Sequence, residues 1–304
     1  MTVAHPRVWV STACLKGDRA LPHVLARYHA IGLAQIEISA PHPYMSLDEL
    51  AALIDRYQAE GVRFIFHNYF PAPERSIILN LTSADRATRD AAWTIVANAA
   101  ALARRAGVPL YGVHPGYLRD GTANERTGMF DFAGGARSLD DCLDVITGDF
   151  RRFYTDLGLE AADRRVFLAL ENLFPDRDGR LTSIMCTLAD IERIIAAYAT
   201  TDLGILVDLA HLGISSALLD FDREEFLDHL LAAHADRVYE VHLSDNDGRS
   251  DLHRKLGRDT WALGALHRFK GQTRMAAASL ICLEPRGLTE AEILDNVELV
   301  SACL

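Results

Sequence analysis

The chain has 304 residues, of which 49% are hydrophobic and 24% charged, with a formal net charge of −11. That length accommodates one large α/β barrel or two average domains, and the composition is that of a globular protein rather than a disordered one. The acidic balance disfavours a basic coat for nucleic acid, and among the basic residues only Lys16, Lys255 and Lys270 are lysines.

The opening segment MTVAHPRVWV has no charged region followed by a long apolar one, so no signal peptide is expected. No apolar stretch reaches the ~20 residues of a membrane span. Cys14, Cys142, Cys186, Cys282 and Cys303 show no C-x-x-C spacing. Reduced, mostly buried cysteines in a cytoplasmic protein are therefore expected.

In chain order, short aliphatic or β-branched runs predict strands near residues 7–12, 34–39, 62–67, 109–114, 165–171, 203–208, 237–243 and 278–284. Amphipathic stretches separate them. SLDELAALIDRYQAEG follows the second strand, and ADRATRDAAWTIVANAAALARRAG follows the third, with Asp85 as N-cap and Gly107 closing the C-terminus. TLADIERIIAAYA and TEAEILDNVELV each open on a threonine cap.

Repeated strand–helix alternation predicts parallel strands joined by crossover helices. Eight units in 304 residues predict a closed (β/α)8 TIM barrel, as one domain spanning residues 1–304. An open doubly wound sheet is the alternative. It ordinarily carries a glycine-rich phosphate turn after its first strand, and STACLKGD at that position contains no GxGxxG. Residues 117–137 (YLRDGTANERTGMFDFAGGAR) are polar, glycine-rich and aperiodic. They are expected as a long loop on the C-terminal rim, either a lid over a site or a variable surface insertion.

The chemistry-bearing residue types cluster where strands end. FIFH ends at His67, LYGVH at His114, VFLALE at Glu171, LGILVD at Asp208, VYEVH at His242 and LICLE at Glu284. Just beyond two of these ends lie His211, in DLAH, and Asp251 with His253, in DLH. Alternate residues of an extended segment point the same way, so Asp251 and His253 are expected to face one site. Imidazoles and carboxylates are ligands for zinc, manganese and magnesium. A lone histidine at a strand end is ordinarily just a hydrogen-bonding residue, but nine such residues on one rim point to a metal centre. His5, His23, His29, His229, His234 and His267 lie elsewhere and are expected to be surface or structural; His42, in SAPHPY, is kept as a rim residue near substrate.

These segments resemble the xylose-isomerase-like TIM barrels, the superfamily of sugar (phosphate) isomerases and epimerases that also holds the endonuclease IV type of apurinic endonuclease. HNYFPAPERSIILNLTS, a long helix and VHPG resemble the endonuclease IV stretch from its first histidine to its HPG turn, and ALEN, VDLAH, VHLSDNDGRSDLHRKLG and LEP continue the likeness in order. The resemblance implies one metal at Glu171, Asp208, His242 and Glu284, which is also the single-metal site of the ketose epimerases. It implies a second at His67, His114 and a shared Glu171, and a third at His211, Asp251 and His253. Zinc or manganese is the implied cofactor, one to three ions per chain. After the seventh-strand histidine, however, the endonuclease pattern is longer and carries a lysine and a serine that are missing here, and HLSDNDGRSDLH resembles the isomerase/epimerase branch.

Two functions follow from the resemblance. The first is a metal-dependent isomerase or epimerase acting on a sugar or sugar phosphate through an enediolate. Glu171 and Glu284 would exchange the carbon-bound proton, His211 would hold a substrate oxygen, and Glu37, which resembles the second-strand glutamate of isomerase-type members, would contact substrate or support a ligand. Arg119, Arg126, Arg249 and Arg286 would grip a phosphate or carboxylate. The alternative is a multi-zinc phosphoesterase of the endonuclease IV type; a non-catalytic metal-binding protein is the third possibility. A small polar substrate is the expected partner, with homo-oligomerisation possible and nucleic acid disfavoured. A Schiff-base aldolase needs a lysine inside the barrel, and none of the lysines falls on a predicted strand. GxSxG and Walker A motifs are absent.

Overall fold

The computed structural model of the chain describes residues 8–17, 19–124, 129–156, 165–270 and 280–304. In order these form β1 (Val8–Ser11), α1 (Leu21–Ala30), β2 (Gln35–Ser39), α2 (Leu47–Ala59), β3 (Arg63–His67), α3 (Arg86–Ala106), β4 (Leu110–Val113), β5 (Asp120–Asn124), β6 (Met129–Ala133) and α4 (Leu139–Asp156). The second half continues with β7 (Phe167–Glu171), α5 (Leu188–Ala197), β8 (Gly204–Asp208), α6 (Leu209–Leu219), α7 (Arg223–His234), β9 (Val238–Leu243), α8 (Trp261–Lys270), β10 (Leu280–Leu283) and α9 (Glu290–Ser301). Each predicted strand is present. β1, β2, β3, β4, β7, β8, β9 and β10 form a closed parallel barrel, β1 pairing with both β2 and β10.

The helices start where local chemistry starts them. Ser46, Thr187 and Thr289 form reciprocal capping boxes with Glu49, Asp190 and Glu292. The Asp85 side chain caps α3, whose C-cap Gly107 takes the left-handed conformation at φ 66°.

Period-two alternation explains how one strand serves both a core and a site. Ile36 and Ile38 of β2, Phe64 and Phe66 of β3, Leu168 and Leu170 of β7, and Ile205 and Val207 of β8 join the main core shared with the helices. The alternate residues face the barrel axis. There Trp9, Ile65, Leu110, Ala169, Leu206, Tyr239 and Cys282 make a separate apolar plug. Ile65, Ala169, Leu206 and Cys282 each lie two residues before His67, Glu171, Asp208 and Glu284. The plug therefore sits one inward step below the ligand-type residues, sealing the barrel beneath them.

Residues 117–137 correct one expectation. The segment is built around an antiparallel hairpin, β5 paired with β6, rather than an aperiodic loop. The alternation in MFDFA was a short strand signal that the surrounding glycines masked. Phe132 packs on Tyr117 with ring centroids 5.2 Å apart, and it joins a small cluster with Ile78 and Leu173. Gly121 is required at the pairing, because a Cβ there would lie 2.6 Å from the Asp131 carbonyl oxygen. Asn80 ties the base of the hairpin down: its Oδ1 accepts from Tyr117 N at 2.9 Å and its Nδ2 donates to Asp120 Oδ1 at 3.2 Å.

Candidate metal centre

At the C-terminal mouth the strand ends converge on a closed ring of contacts. His67 Nε2 lies 2.8 Å from Glu171 Oε2, and Glu171 Oε1 lies 3.2 Å from His211 Nδ1. His211 Nε2 is 3.7 Å from Asp251 Oδ1, and Asp251 Oδ2 is 2.8 Å from His253 Nε2. His253 Nδ1 is 3.6 Å from Glu284 Oε2, and Glu284 Oε1 returns to His67 Nδ1 at 3.9 Å. The remaining ligand-type residues attach to this ring. His114 Nε2 reaches Glu171 Oε2 at 3.0 Å, and His242 Nδ1 reaches Glu284 Oε2 at 3.3 Å. Asp208 approaches His211 at 4.0 Å.

Three ligand sets have donor atoms all within 4.8 Å of one another at this level: His67 with His114 and Glu171, His67 with His242 and Glu284, and Glu171 with Asp208 and His211. The first brings together the residues that the resemblance implies for a second metal. Glu171, Asp208, His242 and Glu284 stand at or just beyond the ends of four adjacent strands, β7 to β10, but split between the second and third sets.

Local structure explains how each side chain is delivered. Asp208 ends β8 and also caps α6, its Oδ1 accepting from His211 N at 2.8 Å. That cap puts His211 on the first turn of the helix, facing back over the mouth. Asp251 and His253 do converge, although not from a regular extended strand: His253 has φ 44°, in the left-handed region. Its Nδ1 lies 3.1 Å from the Glu284 carbonyl oxygen, which orients the ring.

Several contributors were not legible as site residues. Asn172 brackets the backbone of Asp208, and Ser39 Oγ lies 3.1 Å from His67 Nδ1. Glu240, two residues before His242, is fully buried and within 3.3 Å of His242 Nε2. Its signal was present, as a carboxylate inside the apolar run VYEVH at the same strand parity as the histidine. Glu37, in contrast, was an expected site residue, but its place differs from a substrate contact: it is fully buried in register with Ile65, and its Oε2 pairs with His242 Nε2 at 2.8 Å, so it meets this ring from below.

The electrostatics are those of buried carboxylates crowded among imidazoles. Burial alone would lower the His67 pKa, but Glu37 and Glu171 outweigh it and raise it to about 9. Burial works against ionisation of Glu171 as well, yet His114 and His67 hold it well below the ordinary carboxylate range. Glu284 is lowered despite its burial, chiefly by His253 and His242. Asp208 goes the other way, raised by burial.

This donor set fits a divalent cation. Asp208 Oδ2, Glu171 Oε1, Asp251 Oδ1 and His253 Nε2 are buried atoms without an aligned hydrogen-bond partner. His253 Nε2 nevertheless lies 2.8 Å from an Asp251 oxygen. Nitrogen and oxygen brought that close without hydrogen-bond alignment are compatible with two groups turned towards a shared cation. An unanswered cluster of this kind deep in a protein is costly unless a cation or protons balance it.

The arginines divide. Arg286 reaches the ring, its guanidinium 3.9 Å from Glu284 Oε1 with half its side chain exposed. Arg249 is exposed on the loop after β9 and Arg119 is half-buried beside the hairpin; neither forms an ion pair among the described residues. Arg126 lies outside the described residues. His42 Nε2 sits 2.8 Å from Thr12 Oγ1 and its Nδ1 2.7 Å from the Arg19 carbonyl, away from the ring. His23, His29, His229 and His267 are exposed and His234 is half-buried, while His5 lies outside the described residues.

The family model for the xylose isomerase-like TIM barrel matches residues 25–276. The chain belongs to that family. No curated protein matches it significantly in sequence. Among solved structures, this xylose isomerase-like barrel is similar to a D-tagatose 3-epimerase-like protein, at 19% identity and TM-score 0.69, over 98% of this chain and 96% of that one. It is also similar to 3-keto-D-glucoside 4-epimerase from E. coli, at 13% identity and TM-score 0.66, over 98% of each chain. Endonuclease IV from Thermus thermophilus aligns at 19% identity and TM-score 0.58, again over 98% of each chain. Identities this low carry the fold alone. No helix among the described residues is long and apolar enough to cross a membrane.

Proposed function

We propose that this protein is a divalent-metal-dependent isomerase or epimerase of a sugar or sugar phosphate. The observation that carries the reading is the ring of imidazoles and carboxylates at the mouth, with buried acceptor atoms left unanswered inside it. Glu171, Asp208, His242 and Glu284 would hold the ion, drawn from zinc or manganese. A bound divalent cation supplies Lewis-acid polarisation of the substrate oxygens.

The chain's own residues supply the rest. A base must be ionised before it can take a proton from carbon, and the histidines around Glu171 and Glu284 hold both carboxylates in that state. The two stand at the ends of β7 and β10, with β8 and β9 between them. They can thus address a substrate carbon from different directions: the ionised carboxylate takes the carbon-bound proton, and the other returns one to carbon only when it enters the turnover carrying a proton of its own. His211, on the first turn of α6, would hold a substrate oxygen, and Arg286 beside Glu284 offers a half-exposed cation to a phosphate or carboxylate. The segment HLSDNDGRSDLH, the acidic balance and the epimerase neighbours support a small sugar substrate over DNA.

The second reading, a multi-zinc phosphoesterase, rests on one observation. His67 and His114 converge on Glu171 while His211, Asp251 and His253 form a separate run of contacts, and a one-metal epimerase does not require either group as ligands. Elemental analysis of metal-reconstituted protein, together with NMR detection of solvent-deuterium incorporation into a panel of ketoses and their phosphates, separates the two. One ion per chain with carbon-bound exchange is expected. Two or three ions with cleavage of an abasic oligonucleotide and no exchange would overturn the proposal.

A further inference from the structure

We infer that Glu37 and Glu240 are positioning residues that decide which nitrogen of His242 faces the mouth. This rests on the metal reading above. Both carboxylates sit in the wrong layer for a substrate contact. Glu37 is in register with Ile65 and Glu240 with Leu206, two members of the apolar plug. Both are fully buried.

Both approach the same atom. Glu37 Oε2 hydrogen-bonds His242 Nε2 at 2.8 Å, and Glu240 Oε1 lies 3.3 Å from it without hydrogen-bond alignment, while the opposite nitrogen, Nδ1, faces Glu284 Oε2 at 3.3 Å. An ionised carboxylate can only accept, so Glu37 fixes the proton on Nε2. The Nδ1 lone pair is then left for an ion at the mouth. Gly112 leaves room in this layer, since a Cβ there would lie 2.7 Å from Leu206 Cδ1 and 3.1 Å from Glu240 Oε2. Glu37 also spans to a second ring: its Oε1 lies 3.9 Å from His67 Nδ1. Two carboxylates in a dry apolar layer are unfavourable for folding compared with leucine. Their placement makes sense if they orient ligand rings.

That opposition supplies the test. The variants Glu37→Leu, Glu240→Leu and Glu37→Gln would be compared with the parent by titrating metal-free protein with Co²⁺, reading visible absorption and heat, and by melting each protein without metal. Glu37→Leu is expected to melt at or above the parent temperature while binding Co²⁺ roughly 10–100-fold more weakly, with altered d–d bands. Glu37→Gln, which keeps an acceptor for Nε2–H, should recover most of that loss. Glu240→Leu should weaken binding less than Glu37→Leu, and it serves as the second probe if Glu37→Leu does not fold. Parent-like Co²⁺ affinity and spectrum in both leucine variants overturn the inference while leaving the metal centre intact. A parent protein that takes up no Co²⁺ instead removes the metal reading and this inference with it.

Discussion

Asn172 grips both backbone polar atoms of Asp208. Its Oδ1 accepts from Asp208 N at 2.7 Å and its Nδ2 donates to Asp208 O at 3.1 Å, with the amide itself buried. The pair ties the end of β7 to the point where β8 becomes α6. The Asn172 carbonyl, 2.9 Å from His211 Nδ1, extends the tie to the helix. Replacing Asn172 with alanine strands the buried Asp208 N–H, at about 1–3 kcal/mol for an unsatisfied group, whereas the Asp208 carbonyl keeps its bond as the N-cap of α6. Chemical denaturation of metal-free Asn172→Ala should show a loss on that scale, and Zn²⁺ titration should show weaker binding. Unchanged Zn²⁺ affinity would mean that Asp208 does not need its bracket.

Glu171 is the junction of the ring, touching His67, His114 and His211. Glu171→Gln keeps the shape and removes the charge. The expected result is a kcat lower by about 10²–10⁴, the usual contribution of a positioned base, with circular dichroism unchanged. Glu284→Gln should behave alike. Full turnover in both variants would remove the proton-transfer roles assigned to them.

The metal-free protein should lose stability as pH rises, contrary to the usual behaviour of a carboxylate-rich protein. His67 is raised from 6.5 to about 9, so its stabilising contribution is complete below pH 6.5 and disappears as pH climbs through 9. Burial raises Glu240 from 4.5 to about 7, which adds a loss of the same sign between those values. Divalent ions compete with these protons, so their stabilising effect should grow over the same range. Melting temperatures measured from pH 5 to 9 with and without Zn²⁺ test this directly. A flat profile for the metal-free protein would show that His67 is not held protonated by Glu37 and Glu171.

Much of this molecule follows from its order of residues. Alternation in QIEIS, RFIFH, FLALE and GILVD assigns one face of each strand to the core and the other to the axis, because side chains on a strand repeat every two residues. The caps Ser46, Asp85, Thr187 and Thr289 are equally local, since a cap needs only its own first turn. The ligand-type residues could be named for the same reason: each ends or just follows a strand.

Closure is another matter. The contact between His67 and Glu284, 3.9 Å apart across 217 positions (284 − 67), exists because β1 pairs with β2 on one side and β10 on the other. The left-handed turn at His253 depends on the Glu284 carbonyl that receives its ring, and hairpin β5–β6 on the footing that Asn80 provides. Glu37 and Glu240 become neighbours only once β2 and β9 face each other across the closed barrel. Strand periodicity is a property of consecutive residues, whereas the distance between two strand ends is a property of barrel closure. The sequence by itself therefore determined which imidazoles and carboxylates end or follow the strands and which face of each strand is inward; the tertiary structure decided which of them meet, and which carboxylates lie beneath.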